Sequence, residues 1–168
     1  MSNRPRLKVP FQTVDVVLEL ISITLLLLII GMTIYEYSSL PETIPTHFNA
    51  KGEADDFGHR MTVWWIPGIA VMMYIGLFII NRYPHMHNYM VNITPENALK
   101  NYRFSTRIVR IVNLYTLAIF GVICYTIIAK AKGGNFSLGT WFLPAIISSS
   151  VLLPIFVLAY HRKINKQS

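Results

Sequence analysis

The chain has 168 residues, 53% of them apolar and only 14% charged, with a net charge of +7 and one cysteine. A water-soluble domain of this size carries about a quarter charged residues, so a free-standing soluble fold is excluded. The lone Cys124 excludes an internal disulfide and reads as packing inside a span.

The first apolar run, 14–36, follows Arg4, Arg6 and Lys8. It outlasts the roughly 7–15 residues of a signal-peptide core and ends in Tyr35-Glu36-Tyr37 without a small-x-small cleavage site, so it reads as a retained span. Asp15 and Glu19 stand in its first turns. Ionisable groups in a span face the bundle rather than lipid, and Arg107 and Arg110 are the expected ion-pair partners at the same depth.

A polar cap loop, 37–60, comes next and is the densest candidate site. Pro41 and Pro45 hold its first part extended, because proline fixes φ and biases its predecessor away from helix. The stretch from Asn49 to Gly52 is turn chemistry, and Asp55-Asp56-Phe57-Gly58 reads as a second turn. His47, Phe48, Asn49, Gly52, Asp55, Asp56 and His59 are the candidate ligand-binding residues. A zinc ion needs three or four close ligands, for which His47, Asp55, His59 and Glu36 are the candidates. A harder ion would use Asn49, Asp55 and Asp56 with backbone carbonyls. No nucleophile–base pair stands out, so an enzyme is not the favoured reading, and nothing in the chain points to a cofactor.

The second span, 61–81, opens on Trp64, Trp65 and Pro67, aromatic residues suited to a membrane interface. The inner loop, 82–106, carries His85 and His87, read as exposed loop histidines. It also carries a helix start, with Thr94 as N-cap, Pro95 at N1 and Asn97 at N3, predicting a short helix over 95–103 that feeds the third span, 107–129. The fourth span, 138–160, has Trp141 and Pro144 near its start, Ser148, Ser149 and Ser150 in its middle and Pro154 as an expected kink.

Eleven Lys and Arg flank the ends of these spans on one side (Arg4, Arg6, Lys8, Arg82, Lys100, Arg103, Arg107, Arg110, Arg162, Lys163, Lys166), against Lys51, Arg60, Lys130 and Lys132 on the other. The positive-inside rule then puts both termini in the cytoplasm and the cap outside. The basic excess is thus a topology signal, and no direct nucleic-acid binding is expected. The first-line partner is the lipid bilayer.

The stretch L-P-E-T-I-P-T-H-F-N-A-K-G-E-A-D-D-F-G resembles the signature of the membrane domain at the N-terminus of SdpI-type immunity proteins, roughly L-P-x-x-I-P-x-H-F-N-x-x-G-x-x-D-x-x-G. Leu40, Pro41, Ile44, Pro45, His47, Phe48, Asn49, Gly52, Asp55 or Asp56, and Gly58 carry it. The resemblance implies a bacterial inner-membrane protein that resists or senses an extracytoplasmic peptide or envelope stress and signals to a cytosolic regulator. Such proteins have about six spans; four are read here. The expectation is therefore an all-α, four-transmembrane-helix bundle forming one domain over 1–168, with an ordered extracytoplasmic loop between spans 1 and 2. A metal-dependent membrane enzyme using His47, Asp55 and His59 is one alternative. A small-molecule carrier, with a polar cavity among Glu36, Asn113 and the three serines, is the other.

Overall fold

The computed structural model describes residues 4–166. Helix α1 (Thr13–Tyr37) leads into a β-hairpin, β1 (Thr43–Phe48) and β2 (Ala54–His59), and a 3-10 turn (Arg60–Trp64) runs directly into α2 (Trp65–Ile80). A short 3-10 turn at Pro84–Met86 precedes α3 (Pro95–Ala131), and α4 (Phe142–Asn165) closes the described chain. Four segments, Thr13–Tyr37, Arg60–Ile80, Pro95–Ala131 and Phe142–Asn165, are long and apolar enough to cross a membrane. The protein is a multi-pass membrane protein, mostly helical, and the small sheet is its departure from the all-α expectation.

Helix α1 starts where the Gln12 amide donates to Asp15 Oδ2 at 2.9 Å. It packs mainly along α3, and α2 lies against α3 as well. Leu26, Ile29, Val63, Ala70, Leu117 and Cys124 form the buried seam of these three helices, with Ile44 of β1 closing it at the hairpin end. Small hydroxyl groups are tolerated there because they bond to their own helix. Thr33 donates to the Ile29 carbonyl at 2.9 Å and meets Cys124 Sγ at 3.4 Å.

The connection between α2 and α3 is shorter than the loop expected over 82–106. The Thr94 amide donates to Asn97 Oδ1 at 3.0 Å, and Pro95 stands at the first helical position. The helix that starts there does not stop at 103. It continues unbroken through 37 residues, about 55 Å at 1.5 Å per residue, far more than the roughly 30 Å of a bilayer core. Its polar first turns are amphipathic rather than irregular: Ala98, Asn101, Tyr102 and Thr106 are buried while Lys100 is exposed.

Helix α4 is held differently. Its most apolar window buries nothing inside the protein, and Val151, Leu152, Ile155 and Phe156 are exposed. Its ties to α3 are local, and at the basic end Phe104 stacks on Tyr160 with ring centroids 5.3 Å apart. Tyr115 meets Ser149, while near the basic end His161 Nε2 and Asn165 Nδ2 both reach Asn101 Oδ1 at 3.1 Å. Pro154 sits inside a helix that stays continuous.

Candidate functional site

The cap folds as a hairpin because its turn is self-satisfied. Asn49 Oδ1 accepts from the Lys51 and Glu53 amides at 2.9 and 3.1 Å, and Gly52 closes the turn with φ +76°. Positive φ favours glycine. The strands pair antiparallel with two register shifts, between Pro45 and His47 and between His47 and Phe48. Pro45 lacks an N–H and fits at such an irregularity. The expected turn at residues 55–58 is instead part of β2, since Ile44 and Pro45 of β1 pair with Gly58 and Phe57. Asp56 Oδ1 accepts from the Phe57 amide at 2.8 Å.

The hairpin tip is pinned to the connection between α3 and α4. Ser137 Oγ donates to the Gly52 carbonyl at 2.9 Å, and a Cβ placed on Gly52 would lie 2.6 Å from the Gly139 nitrogen. Beneath the tip runs a groove of about 450 Å³. Phe48 of the hairpin, Ile66 of α2, Ile123 and Ile127 of α3, and Phe142 and Leu143 of α4 form its apolar walls, with His47 and Asn49 along its hairpin side. His47 Nδ1 lies 2.6 Å from Asp55 Oδ1, both side chains largely open to solvent.

The proposed metal ligands do not converge. His59 pairs with Thr43, four residues back along β1 from His47, which at strand rise sets the two positions about 13 Å apart along the hairpin. His59 instead caps the 3-10 turn, its Nδ1 accepting from the Met61 amide at 3.2 Å. Glu36 binds Lys132 at 2.5 Å, tying α1 to the end of α3. Asp55 is the extra residue at the second register shift and is taken by His47, while Asp56 turns back on the Phe57 amide. Among the described residues no three His, Cys, Asp or Glu side chains gather. Glu36, Asn113 and the three serines line none of the grooves described here: Asn113 is buried in α3, and Ser150 bonds to its own helix through the Ile147 carbonyl at 2.7 Å.

Asp15, Glu19, Arg107 and Arg110 come together at the opposite end of the bundle. Arg107 Nε reaches Asp15 at 3.0 Å, and Arg110 reaches Glu19 at 3.0 Å and Asp15 at 3.7 Å. Tyr74 of α2 donates to Glu19 at 3.3 Å, so all three packed helices enter this network.

Sequence reasoning missed two things. The groove depends on residues far apart in the chain, and only the glycines at 52 and 139 hinted at a close approach. His87 is not an exposed loop residue. Its Nε2 faces the Ile80 carbonyl at 3.1 Å and so carries the proton, leaving Nδ1 to accept from Ser105 at 2.6 Å. Burial, aided by His85, holds its pKa below the usual histidine value. Beside it, burial pushes Tyr89 up to about 12 while its hydroxyl donates to the Pro84 carbonyl at 2.7 Å. Arg4 braces the same loop through the carbonyls of His85 and His87 at 3.2 and 2.7 Å.

Residues 24–71 match the family described as Domain of unknown function (DUF1648). An uncharacterized protein of the archaeon Archaeoglobus fulgidus is 42% identical over 79 residues, covering 42% of this chain and 42% of that protein. The chain thus spans less than half the length of this relative. No solved structure matches. The family match begins within α1, takes in the whole hairpin and ends within α2, so the matched stretch is the cap with the adjoining parts of both helices.

Proposed function

We propose that the protein is an SdpI-like receptor of the cytoplasmic membrane of a bacterium, with both termini inside, whose cap groove binds an extracytoplasmic peptide in resistance or in signalling to a cytosolic regulator. The observation that carries this reading is the groove between hairpin and helices. Its volume of about 450 Å³ suits the anchoring side chains of a peptide, falling within the roughly 300–1,000 Å³ of small-ligand sites. Apolar walls supply affinity, and the His47–Asp55 pair at the hairpin supplies polar contacts. The two-stranded sheet leaves each strand one unpaired edge, a surface to which an extended peptide adds by backbone hydrogen bonds. The Lys and Arg bias toward the other end of the spans supports an outward-facing cap.

The direct test is survival. A sensitive host expressing the protein is challenged with exported toxic peptides, alongside a Leu143→Trp variant that fills the groove. Protection by the wild type and its loss in the variant are expected, with both proteins present in the membrane at equal amounts. Unchanged survival with the wild type removes the resistance reading. A photo-crosslinking residue at position 50 that captures lipid but never peptide removes peptide binding altogether.

A further inference from the structure

At the basic end of the bundle a second groove, of about 530 Å³, runs between the first half of α3 and the last turns of α4. Its charges gather toward one end, with Leu99 and Phe104 among them, and its other end is wholly apolar. Glu96, Lys100, Arg103 and Arg107 line it at helical spacing on one stripe of α3, followed on the same stripe by Ile108 and Ile111. From Lys100 to Ile111 is about 16 Å of helix. The α4 wall is uncharged, running from Phe156 through Tyr160 to Ile164, and Phe156 is 61% exposed.

The three cations are not equivalent. Arg107 is committed to Asp15 and to Gln12 Oε1, the latter at 2.5 Å. Lys100 Nζ donates to the Ile164 carbonyl at 2.5 Å, holding the last turn of α4. Arg103 makes no ion pair among the described residues, and its Nε is buried with no hydrogen-bond partner. A buried donor left unpaired costs free energy, and a guanidinium matches the oxygens of a phosphate in fork geometry.

We infer that this groove is a binding site for an anionic phospholipid of the adjoining leaflet, its phosphate held by Arg103 with Lys100 beside it and an acyl chain lying along Ile108, Ile111 and Phe156. Basic pockets between transmembrane helices take acidic headgroups for this reason. The occupant is a lipid rather than a free phosphate because the cations open directly onto an apolar trough that faces the bilayer. Glu96, the one acid in the lining, sits at the outermost turn and leaves the position of Arg103 net positive.

The test is native mass spectrometry of the full chain in detergent with added phosphatidylglycerol or phosphatidylcholine of identical acyl chains. The wild type should retain phosphatidylglycerol at least tenfold better. Arg103→Gln should reduce that preference to near unity, and Arg103→Lys should keep part of it. Ile108→Trp, which fills the trough, should lower retention of both lipids. Millimolar inorganic phosphate should not displace the bound lipid, and Lys163→Gln, at the same end but outside the groove, should change nothing. Equal retention of the two lipids by the wild type overturns the site, whatever the variants do. Displacement by phosphate, or a loss with Lys163→Gln as large as with Arg103→Gln, equally overturns it in favour of a simple anion site or diffuse surface charge.

Discussion

Arg110 is 8% exposed, Asp15 2% and Glu19 14%, so these charges survive in a low-dielectric setting only as a set. Removing one partner of a buried pair leaves the other uncompensated, at a cost of about 3–5 kcal/mol. Arg110→Met should therefore destabilise the protein by that order in detergent unfolding, and adding Glu19→Leu should recover part of the loss, because no carboxylate is then stranded. An additive double variant would show that Arg110 and Glu19 act independently. His87 offers a pH handle. Its folded pKa lies below the ordinary 6.5, so between the two values the unfolded chain binds more protons and stability rises with pH. The penalty is absent above about 6.5, grows as pH falls through that value and levels off below the folded pKa. Thermal unfolding at pH 8 and pH 5 should show an acid-side loss in the wild type that shrinks in His87→Gln.

The hairpin is the element whose behaviour depends most on a single residue. Gly52 carries a positive φ and abuts Gly139. An alanine there pays about 1–2 kcal/mol for the left-handed backbone alone, and the close approach adds a clash that the docked tip cannot relieve. Gly52→Ala should thus raise amide hydrogen exchange across 43–59 and 133–141 together while leaving α1 and α2 protected. Exchange confined to the hairpin would mean that tip and connection are not coupled. This element was only half legible in the sequence. The turn from Asn49 to Gly52 was plain from its residue types, but Pro45 and the unalternating Ala54-Asp55-Asp56 argued against strands, and only the paired register irregularities let both fit. The start of α3 was equally plain at Thr94-Pro95. Its continuation past 103 was not, because Lys100, Asn101 and Arg103 interrupt the hydropathy while keeping the helical period on which Asn101 and Tyr102 are buried.

Across the whole molecule, the four apolar segments could be read from composition, since crossing a bilayer demands uninterrupted apolar length. Their unequal attachment could not. Helices α1, α2 and α3 share a buried seam, whereas α4 meets α3 through polar contacts centred on Asn101 and the stack of Phe104 on Tyr160. Asn101→Ala should loosen the last turns of α4 without disturbing the three-helix seam. Spin labels at the exposed positions 99 and 163 would report this as a broadened distance distribution, while a pair at the exposed positions 28 and 122 stays narrow. Equal broadening of both pairs would place Asn101 in the common core instead.

The unbroken run of α3 from Pro95 to Ala131 has a mechanical consequence. One end carries Ile123 and Ile127 beneath the cap, and the other carries Lys100 and Arg103 at the basic end of the bundle. A helix without a break moves as a lever. A tilt of about 5° displaces the far end of a rod of about 55 Å by roughly 5 Å, enough to part a guanidinium from whatever it holds. Load on the cap and grip at the basic end therefore act on one beam, which the ion pairs of Arg107 and Arg110 fasten to α1 near the basic end.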